Sequence, residues 1–221
     1  MRIPYSRGLL LTLCLAGACG SDDSEKRSTQ HASPAQPEDA GADATEPDPR
    51  AAAEPQRWVG EVQDSDAQVG IVADADHARL FFCGGDTSYA TATRWFALDV
   101  TDGAVEFEDE QWRVSAKLAA HVVDGSVQFA GERHEFSANA VAEETLAGVY
   151  EGQAQCGRLG LIVMQSAHDS DVHTQGACLG ADHDPQQVNP ILPVALTMRE
   201  IAVEAPGEPD VQVGLLPLSL P

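Results

Sequence analysis

The sequence feature that most restricts the fold is a strict alternation of apolar and polar side chains. Between Gln111 and Leu118 the apolar residues occupy every second position. Successive side chains of a β-strand point to opposite faces, so this pattern is typical of a strand with one buried face. The same period continues through 126–129 and 133–138. We therefore predict an antiparallel meander over residues 104–140.

Tight-turn dipeptides separate these runs. Asp102-Gly103 and Asp124-Gly125 have the composition preferred in two-residue type I′ turns, and Gly131-Glu132 offers a third turn. Short apolar runs predict further strands at 58–62, 69–73, 78–82, 149–155, 159–164 and 172–178. A turn is expected at 74–76, and 93–98 is interpreted as a strand or a short helix.

No long amphipathic helix is apparent, and short strands at regular spacing are typical of a sandwich or a barrel. Edge-type segments are expected near Val194, Ile201 and Val211 in a proline-rich tail. The prediction for residues 57–221 is one all-β domain, an antiparallel β-sandwich or a small β-barrel.

The N-terminus has the layout of a secretory signal. Arg2 and Arg7 precede an apolar run over 8–15, which is too short to span a bilayer as a helix. Small residues at 16–18 stand directly before Cys19 and resemble the lipobox of bacterial lipoproteins, although Ala16 stands at its usual Leu position. That resemblance implies removal of residues 1–18 and lipidation of Cys19. The alternative is cleavage after the same small residues, which would release a free secreted protein.

The segment 19–56 is predicted to be a disordered, lipid-anchored linker. Its residues 20–56 contain no aromatic residue, Ile, Leu or Val, so they cannot offset the entropy of ordering by burial. The resulting location is extracytoplasmic, on the bacterial cell envelope, with the outer membrane favoured over the inner. The membrane is contacted through the N-terminal lipid, and we expect a monomer.

Charge argues against several kinds of partner. The chain carries 13 Lys and Arg against 35 Asp and Glu, a formal net charge of −22. Such a surface repels phosphate backbones, so no nucleic-acid partner is expected. An envelope protein or a small-molecule ligand remains as an unidentified partner.

Three cysteines remain once Cys14 leaves with the signal and Cys19 is lipidated. A hairpin of 159–164 with 172–178 places Cys156 and Cys178 nearly opposite each other, at a separation suited to a disulfide. This pairing would leave Cys83 as a buried free thiol. The rival pairing, Cys83–Cys178, follows if 58–83 and 149–178 are true repeats, since these cysteines are then equivalent.

Metal-capable side chains cluster in two segments, which together hold His168, Asp169, Asp171, His173, Asp182, His183 and Asp184. If the two loops meet, they could bind a divalent metal such as Zn²⁺ or Ca²⁺, the one cofactor that the sequence suggests. The competing interpretation is a pair of solvated turns. No Gly-x-Ser-x-Gly motif is present, and the apolar residues before Cys83 favour a core or disulfide cysteine over a nucleophile.

Residues 57–150 resemble a small, functionally uncharacterised β-domain of secreted bacterial proteins. The resemblance is carried by Cys83-Gly84-Gly85, Trp95, Asp102-Gly103, Phe136-Ser137-Ala138 and Gly148-Val149-Tyr150. It implies no active-site residues, and no catalytic residue is predicted. We favour a non-catalytic binding or structural domain; the alternatives are a metal-dependent hydrolase using 168–173 with 182–184, and a small-ligand carrier with a barrel interior.

Overall fold

A computed structural model describes residues 56–142, 145–165, 172–180, 184–191 and 200–216. The described residues form fifteen strands: β1 Gln56–Val62, β2 Gln68–Ala73, β3 His77–Cys83, β4 Arg94–Asp99, β5 Ala104–Glu108, β6 Arg113–Lys117, β7 Val122–Phe129, β8 Glu132–Ala140, β9 Gly148–Ala154, β10 Gly157–Gln165, β11 Val172–Leu179, β12 Pro185–Gln187, β13 Asn189–Pro190, β14 Glu200–Ala205 and β15 Glu208–Leu215. The predicted all-β class is confirmed. No helix in this part of the chain is long and apolar enough to cross a membrane.

The first eight strands form one antiparallel, barrel-like sheet. Its order is β4-β3-β2-β1-β8-β7-β6-β5. Strands that follow one another in sequence are paired, except β4 and β5, and β8 returns to pair with β1. The predicted meander over 104–140 corresponds to β5–β8, and 93–98 is a strand, β4. The sheet stays open between β4 and β5, where the one backbone pairing among the described residues is an isolated bridge between Thr101 and Ala104.

The remaining strands form a second barrel-like sheet with the order β12-β11-β10-β9-β15-β14-β13. The segment 185–190 nearly closes it, because β12 pairs with β11 while β13 pairs with β14. Val188 lies between these two short strands and donates its N–H to the Gly176 carbonyl at 3.0 Å. The predicted tail segments at Ile201 and Val211 are β14 and β15; Val194 lies outside the described residues.

The two sheets pack against each other through strands that are buried on both faces. In β3, Leu80 and Phe82 point into the first sheet, whereas Phe81 and Cys83 belong to a separate apolar cluster shared with β9, β10 and β11. This double burial explains why β2 and β3 read as continuous apolar runs rather than as alternating ones. The interface between the sheets thus uses the outer faces of β1–β3.

Aromatic side chains fill the interior of the first sheet. Phe82 lies 5.5–6.1 Å, centroid to centroid, from Phe96, Trp112 and Phe136, and Trp112 in turn lies 5.5 Å from Phe129. All five residues are buried. Because side chains of this size fill an eight-stranded barrel, the interior holds a packed core instead of a ligand chamber.

The turns confirm two sequence predictions and correct two. The predicted turn at 74–76 joins β2 to β3, and there the Asp74 N–H donates to the His77 carbonyl at 2.9 Å. Asp102 and Gly103 have φ values of 52° and 72°, as a type I′ turn requires. Asp124-Gly125 was wrongly predicted as a turn and lies inside β7, where a Cβ on Gly125 would come within 2.4 Å of the Phe136 ring. The glycine therefore makes room for packing. The third turn lies one residue earlier than predicted, at Ala130-Gly131.

The disulfide joins Cys156 to Cys178, as predicted, with a Cα–Cα distance of 6.1 Å. The register differs from the prediction, because Cys178 lies opposite Leu159 and Cys156 occupies the turn before β10. The rival Cys83–Cys178 pairing is wrong since the two cysteines face different clusters. Cys178 points into the second sheet, and Cys83 lies between the sheets as the free buried thiol.

Replacing Cys156 and Cys178 together by Ser should lower the free energy of unfolding by about 3 kcal/mol, because the bond closes a loop with a sequence separation of 22. Urea unfolding of both proteins measures the difference. Cys83→Ser is the matched control for loss of a cysteine that closes no loop. Equal stability of the double variant and the parent protein would contradict the assignment.

Candidate functional site

Of the seven predicted metal ligands, the structure describes two, His173 and Asp184, and these two lie far apart. His173 lies near the start of β11, whereas Asp184 lies beyond its other end, next to the pairing of Leu179 with Pro185. At roughly 3.3 Å per residue these two exposed residues are about 20 Å apart. The other candidates, His168, Asp169, Asp171, Asp182 and His183, lie outside the described residues. Within the described ranges, no group of three His, Cys, Asp or Glu could hold a metal ion.

A cleft of about 830 Å³ lies where one end of the first sheet meets the second sheet. The first wall comes from residues 90–95, the loop 109–112 and the turn 128–131; the second wall consists of Arg158, Leu179 and Gly180. Polar and aromatic side chains both line it, as is typical of small-molecule sites. This cleft is the candidate functional site.

Arg158 dominates the second wall. Its guanidinium carbon lies 4.1 Å from the centroid of the Trp95 ring, and its Nε donates to Glu151 Oε1 at 2.6 Å. The other oxygen of Glu151 accepts from Arg79 at 3.2 Å. One carboxylate therefore serves two guanidinium groups, so this group of three side chains holds one uncompensated positive charge.

Trp95 holds Arg158 in place. One face of its indole stacks on Phe81, with centroids 4.5 Å apart, and the Arg158 guanidinium lies over the ring. With its ring covered in this way, Trp95 is not free to stack on a sugar. Trp58 and Trp112 are almost fully buried, so none of the three tryptophans offers an open aromatic platform. Trp95 instead fixes the plane of a cation.

Arg94 dominates the first wall and reaches across the open side of the first sheet. Its Nη1 donates to Asp109 Oδ2 at 2.7 Å. The guanidinium carbon lies 5.0 Å from the Phe96 centroid and 5.1 Å from that of Phe107, close enough for cation–π attraction. The pKa of Asp109 is lowered, first by the Gln111 N–H and then by Arg94. Asp109 therefore stays ionised opposite Arg94.

The disulfide positions the second wall. Arg158 and Leu179 are cross-strand partners on β10 and β11. Cys178 immediately precedes Leu179, and Cys156 lies two residues before Arg158. The bond therefore ties together the two chain segments that supply this wall.

Asp66 organises the loop that leads into the first wall. Its carboxylate accepts hydrogen bonds from both the backbone N–H and the hydroxyl of Thr87 and of Ser88. Burial acts to raise the pKa of Asp66, but these four hydrogen bonds outweigh it and hold the pKa well below the ordinary value. Farther along the loop, Thr93 accepts the Gly84 N–H at 3.0 Å.

Cys83 does not contribute a nucleophile. The thiol is buried between the sheets, and burial raises its pKa to about 12. A thiol is nucleophilic as its anion, so this cysteine is inert near neutral pH. Cys83 is a core residue, in agreement with the interpretation favoured from the sequence.

Sequence reasoning missed both arginines of the cleft. Arg158 and Trp95 are far apart in the chain, and their contact depends on how the two sheets pack. One sequence signal could have drawn attention to Arg94. The chain has few Lys and Arg residues, and this one directly precedes a tryptophan.

Comparisons with family models, with curated proteins and with solved structures find no match.

Asp66→Asn should destabilise the protein at pH 7, because the amide cannot accept all four hydrogen bonds. The folded-state pKa lies below the ordinary value of 3.8. Ionised Asp66 therefore contributes its full stability above that value and loses it as the pH falls further. Urea unfolding between pH 7 and pH 2.5 should show the gap between the two proteins closing below pH 3.8. Asp64→Asn, in the same turn, is the control; a gap that is independent of pH would contradict this role of the charge.

Proposed function

We propose that the chain is an extracytoplasmic lipoprotein whose β-domain is a non-catalytic binding module for a small anionic ligand. The observation that carries this proposal is Arg158, which is stacked on Trp95 at the cleft and shares Glu151, its one carboxylate partner among the described residues, with Arg79. A carboxylate or phosphate group is the ligand chemistry that such a guanidinium recognises.

The charge and the unused donors of Arg158 support an anion on the second wall; Asp109 and Glu110 line the first wall. Arg158 is the only Lys or Arg among the described residues of the second sheet, and it lines the cleft. Its Nε is used by Glu151, while neither terminal nitrogen has a hydrogen-bond partner within the described residues. A bidentate carboxylate can therefore pair with the terminal nitrogens without breaking the bond to Glu151. Arg94, from the opposite wall, supplies a second guanidinium.

The two alternative functions have less support. Of the residues named for a metal-dependent hydrolase, the two that are described lie at opposite ends of β11. A carrier with a ligand inside the barrel needs space that aromatic side chains occupy in the first sheet. The cleft is open, polar and lined by both sheets, and it needs no rearrangement of either core.

The cellular location rests on the sequence. Residues 1–56 fall outside the described ranges except for Gln56, so the lipidated Cys19 and the linker are part of the proposal. The disulfide Cys156–Cys178 fits an oxidising compartment. A lipid at Cys19 would anchor the binding module to the cell envelope, with 19–56 as its tether.

Arg158→Gln should weaken anion binding at least tenfold, because a hydrogen-bonded charge pair contributes about 1.5–3 kcal/mol. Calorimetric titration of the full chain with succinate and, separately, with inorganic phosphate measures the effect. Lys117→Gln removes the same charge from an exposed position on β6, outside the cleft, and should bind like the parent protein. Equal weakening by both substitutions, or no binding of either anion to the parent protein, would refute the anion site.

Cys19→Ala should move the protein from the detergent phase to the aqueous phase in a Triton X-114 partition, since the acyl chains supply the membrane affinity. Cys14→Ala is the control and should leave the distribution unchanged. A mature N-terminus at any residue other than Cys19 would rule out this anchor.

A further inference from the structure

The first sheet has two strand edges that pair with nothing along most of their length. β4 and β5 terminate the sheet, and the bridge between Thr101 and Ala104 is their one ladder contact within the described residues. We call the gap between β4 and β5 the seam. Alternate backbone N–H and C=O groups on each side of the seam lack a strand partner, and such edges can receive an additional strand.

The core of the first sheet is incompletely covered at this seam. The apolar residues that pack on this core but stay partly exposed are Leu98, Val100, Phe107 and Leu118. The first three belong to β4, β5 or the turn between them, and Leu118 directly follows β6. An added strand would cover these side chains as well as pair with the edges.

Charge explains why the seam is open and indicates what it binds. If the register of the Thr101–Ala104 bridge continued, Asp99 would lie opposite Glu106 on the outer face, and both are exposed. Like charges in directly opposed positions destabilise strand pairing. Glu108 adds a third carboxylate on the same face, paired with Arg113. A second copy of this chain would bring the same carboxylates and be repelled.

We infer that the seam is a docking edge for an extended segment of another protein that carries Lys or Arg at alternate positions. The segment adds as a strand against β4 or β5, its backbone groups pair with the free edge, and its cations face Asp99 and Glu106. Because β4 has six residues and β5 has five, the paired stretch is five or six residues long. This inference is independent of the anion cleft.

The test uses the full chain and a seven-residue peptide in which Lys alternates with Thr or Val. A second peptide carries Pro at the central non-Lys position, which keeps the charge but removes a backbone donor and disfavours pairing. Hydrogen–deuterium exchange should show slowed exchange in 94–99 or 104–108 with the first peptide and none with the second. Equal effects of both peptides would mean that the contact is electrostatic only, and no protection by either would equally overturn the proposal.

A matched pair of variants tests the charges. Asp99→Asn/Glu106→Gln should weaken binding of the Lys peptide roughly five- to tenfold, from the loss of two exposed ion pairs. Glu200→Gln/Glu204→Gln removes two exposed carboxylates from β14 in the second sheet and should leave the affinity unchanged. The same weakening in both variants would show that net charge, and not the seam, attracts the peptide.

Discussion

The structure depends on the double burial of β2 and β3. These strands close the core of the first sheet with one face and form the interface to the second sheet with the other. Phe81 illustrates the consequence: it is fully buried between the sheets and stacks on Trp95, which in turn orients Arg158. The position of Arg158 in the cleft is therefore set by an apolar interface rather than by a loop.

Covalent and polar contacts then fix the two walls of the cleft separately. The disulfide secures the second wall beside Arg158, and the hydrogen bonds to Asp66 secure the loop before the first wall. A hydrogen bond between the sheets connects β11, which carries Cys178, with the Asp66 loop: Gln175 of β11 donates to the Asp66 carbonyl at 2.8 Å. Each wall is thus held by residues that do not themselves line the cleft.

Local pattern predicted the strands and the disulfide but not the site. Alternation identified β5–β8 because one buried face imposes a two-residue period, and near-opposition in one hairpin identified Cys156 with Cys178. The turn prediction at Asp124-Gly125 was wrong because the glycine is required by packing: a side chain at position 125 would collide with the Phe136 ring on the neighbouring strand. Arg158, Glu151 and Arg79 come from three strands, and no short-range pattern signals their meeting.

The cleft and the seam meet at the pair formed by Arg94 and Asp109. Asp109 accepts the N–H groups of both Gln111 and Trp112 through Oδ1, while Arg94 uses only Oδ2. Asp109 therefore keeps its place when Arg94 turns away, and Arg94 sits in partial contact with solvent, 35% exposed. An anion in the cleft can thus recruit Arg94 without disturbing the loop after β5. Arg94 and Asp109 therefore belong to both features, because they line the cleft and their ion pair spans the seam.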